Sequence, residues 1–153
     1  MIEVILEDER WEALGLEALC GPAGQEAMAV TGRKTDGFEV ALMGCDDQRI
    51  ADLNRDFRGK PVPTNVLSWP ALEEAPRQGG LPEIALGDIA IAYETCLREA
   101  GEKGVSVEDH ITHLVIHGVL HLLGYDHISD SEAEEMEALE IKALAKLGIN
   151  NPY

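Results

Sequence analysis

An apolar stretch interrupted only by regularly spaced histidines constrains the fold of this chain more than any other feature. All five histidines lie within residues 110–127, and the first four are three, four and four residues apart. That spacing places four imidazoles along one stripe of a helix. The positions between them are mostly Ile, Leu and Val, which predicts a helix buried nearly all round. Its imidazoles need polar partners, because an unpaired buried polar group is costly.

Helix geometry selects which histidines can share a metal ion. His117 and His121 are one turn apart, about 6 Å along the axis, so both can reach one ion at about 2.1 Å. His113 and His121 are about 12 Å apart, too far to share an ion. Gly124 turns the chain and His127 follows on the returning segment. We therefore predict one Zn²⁺ per chain, bound by His117, His121 and His127, with a fourth position left for water as in catalytic zinc sites.

The remaining two histidines have a simpler interpretation. We expect His110 and His113 to be hydrogen-bonded structural residues, or to support the metal ligands from behind. The spacing H-x-x-x-H-x-x-G-x-x-H is also typical of metzincin proteases, which carry a glutamate general base after the first histidine. Gly118 occupies that position here. Peptide hydrolysis by that mechanism would lack its base, but a metallohydrolase of another substrate class remains an alternative.

Size and composition exclude several classes of protein. A chain of 153 residues with 45% hydrophobic residues predicts a single domain over residues 1–153. No apolar run approaches the length of about 18 residues that a membrane span needs, and no signal peptide is recognisable, so we expect a cytoplasmic protein without a membrane partner. A net charge of −17 disfavours nucleic-acid binding through bulk charge but not through a local basic groove. The three separated cysteines predict small buried residues, not a thiolate metal site.

Hydrophobic periodicity and turn residues predict intermixed strands and helices. The class is α/β (α+β), with a small mixed sheet of about four strands packed with five to six helices; strand order is left open. Gly21-Pro22 is expected to separate two helices, Gly87 to mark a β-bulge, and residues 71–83 to form a flexible surface loop. Strands are predicted at residues 2–6, 38–43, 66–69 and 84–92, and helices at 8–20, 22–31, 47–58, 93–101, 107–123 and 130–147.

Basic residues concentrate in one short segment of this acidic chain. Residues 49–60 contain Arg49, Arg55, Arg58 and Lys60, and planar guanidinium groups are well suited to bind phosphate. The segment predicts a local cationic patch that could attract a phosphate group. Asp52 and Asp56 interrupt it, so a solvated helix face with local ion pairs is the alternative.

Two motifs together resemble one protein family. HGVLHLLGYDH at residues 117–127 resembles the histidine signature of the YbeY family, which comprises bacterial rRNA-maturation endoribonucleases. LNRDFRGKPVPTNVLSWP at residues 53–70 resembles that family's second motif, and LGDIAIA at residues 86–92 resembles its glycine-containing strand. The order and intervals of the motifs also match, so the resemblance covers nearly the whole chain.

The resemblance implies a function and assigns residues to it. It implies that His117, His121 and His127 bind zinc at one end of a cleft, and that Arg58 is a functionally important, catalytic arginine near the metal. We expect Arg58 and the neighbouring Lys60 to bind substrate. The implied activity is metal-dependent cleavage of single-stranded RNA in 16S rRNA 3′-end maturation and ribosome quality control, with the ribosome or its proteins as partners. A non-catalytic ribosome-assembly factor with structural zinc is a second alternative, and the oligomeric state is left open.

The chain departs from the family pattern at two positions. Asn65 stands where the family usually has aspartate, which removes a charge and adds two hydrogen-bond donors. Asparagine can replace an aspartate that only orients a turn, but not one that acts as a base. Trp69 replaces the usual phenylalanine and is expected to alter packing only. The general base is left unassigned, with Asp126 and Asp88 as candidates.

Acidic residues dominate the last predicted helix. We expect them to form a solvated face whose first members suit a helix N-terminus. The alternative is a surface that repels RNA toward the cationic patch or contacts a basic ribosomal protein. The residues concerned are Asp130, Glu132, Glu134, Glu135, Glu137 and Glu140.

Overall fold

The computed structural model describes residues 1–153 and contains four strands and six helices. This is the number of strands and the upper number of helices expected from the sequence. Along the chain the elements are β1 (Ile2–Leu6), α1 (Arg10–Leu14), α2 (Leu16–Val30), β2 (Phe38–Cys45), α3 (Asp47–Arg58), β3 (Val66–Pro70), β4 (Ile84–Ala92), α4 (Tyr93–Lys103), α5 (Val107–Leu122) and α6 (Asp130–Lys146).

The four strands form one mixed sheet in the order β1-β2-β4-β3. The β1/β2 and β2/β4 pairs are parallel, whereas β3 runs antiparallel to β4 and forms one edge. The predicted α/β class with a small mixed sheet is confirmed. No helix has the length and apolar character required to span a membrane.

The buried histidine helix α5 packs on one face of the sheet, here called the inner face. It lies against β3 and β4, with α2, α4 and α6 beside it. Only α3 adds a small apolar cluster on the opposite, outer face, beneath Ile50. The edge strand β3 therefore has α5 and its histidines on the inner side and the end of α3 nearby.

Glycines let the chain approach itself closely at two places beside the histidines. Gly87 has φ of +140°, and a Cβ there would lie 2.2 Å from the carbonyl oxygen of Trp69. The predicted bulge is confirmed, because the β2/β4 register shifts just before Gly87. On α5, a Cβ at Gly118 would lie 2.9 Å from Cδ1 of Ile89. Gly118 thus sets the distance between α5 and β4.

The predicted helix break at Gly21-Pro22 is wrong. Helix α2 continues through both residues, and the break lies at Gly15, which has φ of +83° and ends α1. Pro22 is exposed, as is Ala18, whose carbonyl loses its helical N–H donor, so water can hydrate that carbonyl. The helix persists because its buried residues recur on one face and pack against α5 and α6.

Other local predictions match the structure. Ser106 caps α5 by accepting from the backbone N–H of Asp109 at 3.1 Å, and all three cysteines are free and buried. The segment 71–83 is a loop, as expected, but it is fastened to the protein. Arg33 donates to the carbonyls of Ala75 and Pro76 at 2.9 and 3.0 Å.

Candidate metal centre

Three histidines form one cluster at the end of α5. His117 and His121 lie on the last turns of the helix, and His127 lies on the segment that follows Gly124. Gly124 has φ of +112°, a conformation that favours glycine, and it returns the chain toward the helix. One nitrogen from each imidazole lies within 4.8 Å of the other two. The structure therefore brings together the three residues that the spacing selects.

The nitrogen cluster has the chemistry and nearly the dimensions of a metal site. Two nitrogens bound to one ion at about 2.1 Å are at most about 4.2 Å apart, so small ring rotations suffice to close the site. Burial, with His117 and His127 nearby, lowers the pKa of His121. That favours the neutral imidazole, the form that binds metals.

His110 and His113 lie outside the cluster and are hydrogen-bonded, as expected. His110 Nε2 lies 2.8 Å from Glu99 Oε1, and His113 Nε2 lies 2.5 Å from Glu140 Oε1. Burial lowers the pKa of His110 although the bond to Glu99 opposes this. Both histidines are therefore part of the packed interior behind the cluster.

The histidine cluster opens into a cleft of about 590 Å³. The wall opposite α5 is formed by β3 and the residues before it, and Arg58 enters from the end of α3. Arg58 is exposed and forms no ion pair, so its guanidinium donors remain available. The lining residues of the cleft that carry polar side chains are Arg58, Thr64, Asn65, Ser68, His117, His121, Asp126 and His127.

Two of the four basic residues in the predicted cationic patch form ion pairs, and the other two do not. Arg49 pairs with Glu7 at 3.3 Å, and Arg55 pairs with Asp52 at 3.4 Å and with Asp56. Only Arg58 and Lys60 have no carboxylate partner. Lys60 is exposed in the loop after α3 and does not line the cleft.

The two candidate bases lie on opposite sides of the sheet. Asp126 lines the cleft, and its Oδ1 accepts from the backbone N–H of His127 at 2.8 Å. Asp88 lies on the outer face, because side chains alternate along a strand and its neighbour Ile89 packs against Gly118 on the inner face. The structure therefore removes Asp88 as a candidate and leaves Asp126 beside the cluster.

Asn65 connects the cleft to the interior. Its Oδ1 accepts from the backbone N–H of Val66 at 2.7 Å, and its Nδ2 donates to Glu99 Oε1 at 3.0 Å. The same Glu99 oxygen contacts His110. Asn65 thus orients the start of β3, and one of its amide donors has a defined acceptor.

Glu140 is the residue beside the site that the sequence interpretation missed. We expected it on a solvated face of α6, but it is 1% exposed. Its carboxylate contacts His113, His117 and the hydroxyl of Tyr153. Burial raises the pKa of this carboxyl, but the converging hydrogen bonds outweigh burial and hold its pKa at about 2. Four-residue spacing from the buried Met136 was the available signal, because it places Glu140 on the apolar face of α6.

Known proteins resemble the chain over nearly its full length. The model of the family described as Endoribonuclease YbeY matches residues 9–148. A protein named Endoribonuclease YbeY from Paracoccus denitrificans is 54% identical over 157 residues, which cover 99% of this chain and 89% of that protein. Its namesake from Cereibacter sphaeroides is 49% identical over 164 residues, which cover 100% and 98%. A Thermotoga maritima protein solved in solution aligns with a TM-score of 0.61 at 26% identity, covering 97% and 92%. The chain belongs to the endoribonuclease YbeY family.

Proposed function

We propose that the chain is a single-strand-specific, zinc-dependent endoribonuclease and that residues 1–153 form one catalytic domain. The observation that carries this proposal is the single cleft that holds three clustered imidazoles and an arginine without an ion pair. Relatives that are 49% and 54% identical in sequence over nearly the full chain are named Endoribonuclease YbeY. The cluster supplies the ligands for one metal ion, and Arg58 supplies a contact for the phosphodiester.

Four residues of the cleft, and Lys60 outside it, have a proposed task. His117, His121 and His127 would hold one Zn²⁺, which supplies a Lewis acid and lowers the pKa of a water molecule toward about 7. Arg58 would hold phosphate oxygens with its planar set of donors and stabilise the negative charge that develops on them. Lys60, exposed two residues later, would attract the RNA strand beyond the cleft.

Gly118 bears on the proteolytic alternative. Gly118 faces Ile89 of β4, and a Cβ added at Gly118 would already lie too close to the side chain of Ile89. A glutamate after the first histidine of the motif therefore could not reach the cleft in this structure. The glutamate-based mechanism of metzincins is unsuited to this arrangement, and the exposed Arg58 at the cleft favours a phosphate-containing substrate.

We further propose that the substrate is the 3′ end of 16S rRNA within ribosome maturation and quality control, in the cytoplasm. Arg58 and Lys60 are the only two unpaired cations of the basic segment, whereas the whole chain carries a net charge of −17. So few contacts give weak affinity for free RNA, because phosphate neutralisation dominates such binding. A ribosomal partner would supply the missing affinity.

Cleavage assays with defined RNA test the proposal. The purified chain should cleave a single-stranded oligonucleotide and spare the matched duplex, a chelator should stop the reaction, and added Zn²⁺ should restore it. His117→Ala should be inactive under every condition. Cleavage of casein without cleavage of RNA would instead support a metallohydrolase of another class. RNA binding without cleavage at any metal concentration would support a non-catalytic assembly factor.

A further inference from the structure

A buried carboxylate stands directly behind the histidine cluster. The side chain of Glu140 is 1% exposed, and its Oε2 lies 2.9 Å from Nδ1 of His117. Its other oxygen, Oε1, is 2.5 Å from both His113 Nε2 and the hydroxyl of Tyr153. A charge so deeply buried is costly unless hydrogen bonds satisfy it. Here both oxygens have partners, and one of them serves His117 alone.

We propose that Glu140 is a positioning residue that holds His117 in the tautomer and orientation required to bind the metal. A carboxylate only accepts hydrogen bonds, so the contact at Nδ1 places the proton of His117 on that atom. The lone pair then resides on Nε2, which is the atom left available to an ion. Metal-binding histidines in general donate their second ring nitrogen to a carboxylate or carbonyl in this way.

The other two histidines of the cluster have no such support. The rings of His121 and His127 form no hydrogen bond within the protein, and the only bond of His127 is through its backbone. Both rings lie with their centroids 5.1 to 5.4 Å from that of His117. His117 is therefore the fixed member of the cluster, and the rings of His121 and His127 would be free to rotate toward an ion that His117 held.

His113 and Tyr153 in turn hold Glu140. Tyr153 packs edge-on against His113 with ring centroids 5.5 Å apart, and both donate to the same carboxylate oxygen. Burial and the neighbouring Glu140 raise the pKa of Tyr153, so its hydroxyl stays protonated and donates. This arrangement gives His113 a task although it cannot bind the ion, and it links the segment after α6 to the cluster.

Zinc affinity tests the proposal without using activity. Glu140→Gln keeps the size of the side chain and removes its charge, and Glu134→Gln is the matched control on the exposed face of α6. Competition with a chromophoric chelator should show about 10- to 100-fold weaker zinc binding for Glu140→Gln and no change for Glu134→Gln. The melting temperature of each metal-free protein is measured in parallel. Equal zinc affinity in Glu140→Gln and the parent chain would overturn the proposal.

A double variant separates positioning from a purely structural role. In a His113→Ala background, which keeps all three clustered nitrogens, Glu140→Gln should still weaken zinc binding, because it acts through His117. No loss in that background would show that the effect runs through the packing of His113 and would overturn the proposal. Tyr153→Phe removes one donor and keeps the carboxylate, so we expect a loss of about two- to tenfold. This variant remains informative if Glu140→Gln fails to fold, and zinc affinity equal to that of the parent chain would then overturn the proposal.

The proposal rests on the zinc site assigned under the proposed function, and the two can fail separately. If the parent chain binds no zinc, the zinc-dependent function fails. If the parent chain binds one zinc and Glu140→Gln binds it equally well, only the role of Glu140 fails.

Discussion

The side-chain amide of Asn65 donates to Glu99 Oε1 at 3.0 Å, at the wall of the cleft that faces the histidine cluster. The same oxygen of Glu99 lies 2.8 Å from Nε2 of His110, a residue that is 3% exposed. An asparagine is suited to this position because it donates to a carboxylate while its oxygen accepts from the backbone of Val66. The departure from the family's usual aspartate therefore has a physical reason within this chain, since a second carboxylate would face Glu99.

Asn65→Asp should destabilise the protein in a pH-dependent way. The substitution replaces a donor by a carboxylate beside Glu99, and we expect a loss of about 1–2 kcal/mol in the free energy of unfolding at neutral pH. Repulsion raises the pKa of one carboxyl in the folded state, so the loss is present above the unfolded pKa of about 4 and disappears as the pH falls below it. Urea unfolding of the metal-free protein from about pH 3 to pH 7 measures this.

The control for that prediction removes the repulsion from the other side. Combining Asn65→Asp with Glu99→Gln should recover part of the loss at neutral pH, because the glutamine amide introduced at position 99 can donate to the new carboxylate. An Asn65→Asp variant as stable as the parent chain at pH 7 would show that the two side chains do not interact energetically.

His121→Ala should abolish binding of one zinc per chain, whereas His113→Ala should retain it. The first variant removes one of three clustered nitrogens, and the second removes a residue that lies outside the cluster. Elemental analysis after dialysis against buffered zinc gives the stoichiometry directly. Full zinc occupancy in His121→Ala would place the metal elsewhere.

The sequence was sufficient for the features that depend on local spacing. The i, i+4 pair of His117 and His121 and the turn at Gly124 are properties of a short segment, so the cluster could be predicted before any fold was known. The same holds for the cap at Ser106 and the bulge at Gly87. Strand order is a long-range property, and nothing local to β3 indicates that it forms the edge beside α5.

Long-range packing also explains the errors. Gly21-Pro22 is a reliable local signal for a helix end, but tertiary contacts of α2 with α5 and α6 override it. The acidic neighbours of Glu140 predict a solvated face, and only the position of α5 brings its carboxylate into contact with His117. The ion pair of Arg49 with Glu7 likewise depends on how α3 approaches the end of β1. The pairs of Arg55 with Asp52 and Asp56 are local, and they match the alternative of a helix face with local ion pairs.

Arg58→Ala should retain zinc and the folded state and lose RNA cleavage by about 10²- to 10³-fold. The side chain is exposed, and its removal leaves no buried partner behind, so stability is expected to change little. Arg58→Lys should recover only part of the rate, because a point charge does not reproduce the planar donors. Arg55→Ala is the matched control, since Arg55 lies on the same helix but is occupied by Asp52 and Asp56. Cleavage by Arg58→Ala at the rate of Arg55→Ala would remove Arg58 from the mechanism.

The acidic residues of α6 other than Glu140 should contribute little to RNA cleavage. Glu134 and Glu135 are exposed and Glu137 is half-buried, and none of them forms an ion pair. Changing all three to glutamine should leave cleavage and ribosome association unchanged, because exposed charges on a solvated helix are well screened. The rate of oligonucleotide cleavage is measured directly, and filter binding of RNA and ribosome pelleting, each at low and physiological salt, measure the two kinds of association. Tighter and less selective binding of free RNA in the triple variant would show that this surface repels RNA, and weaker pelleting at low salt would show that it contacts a basic partner.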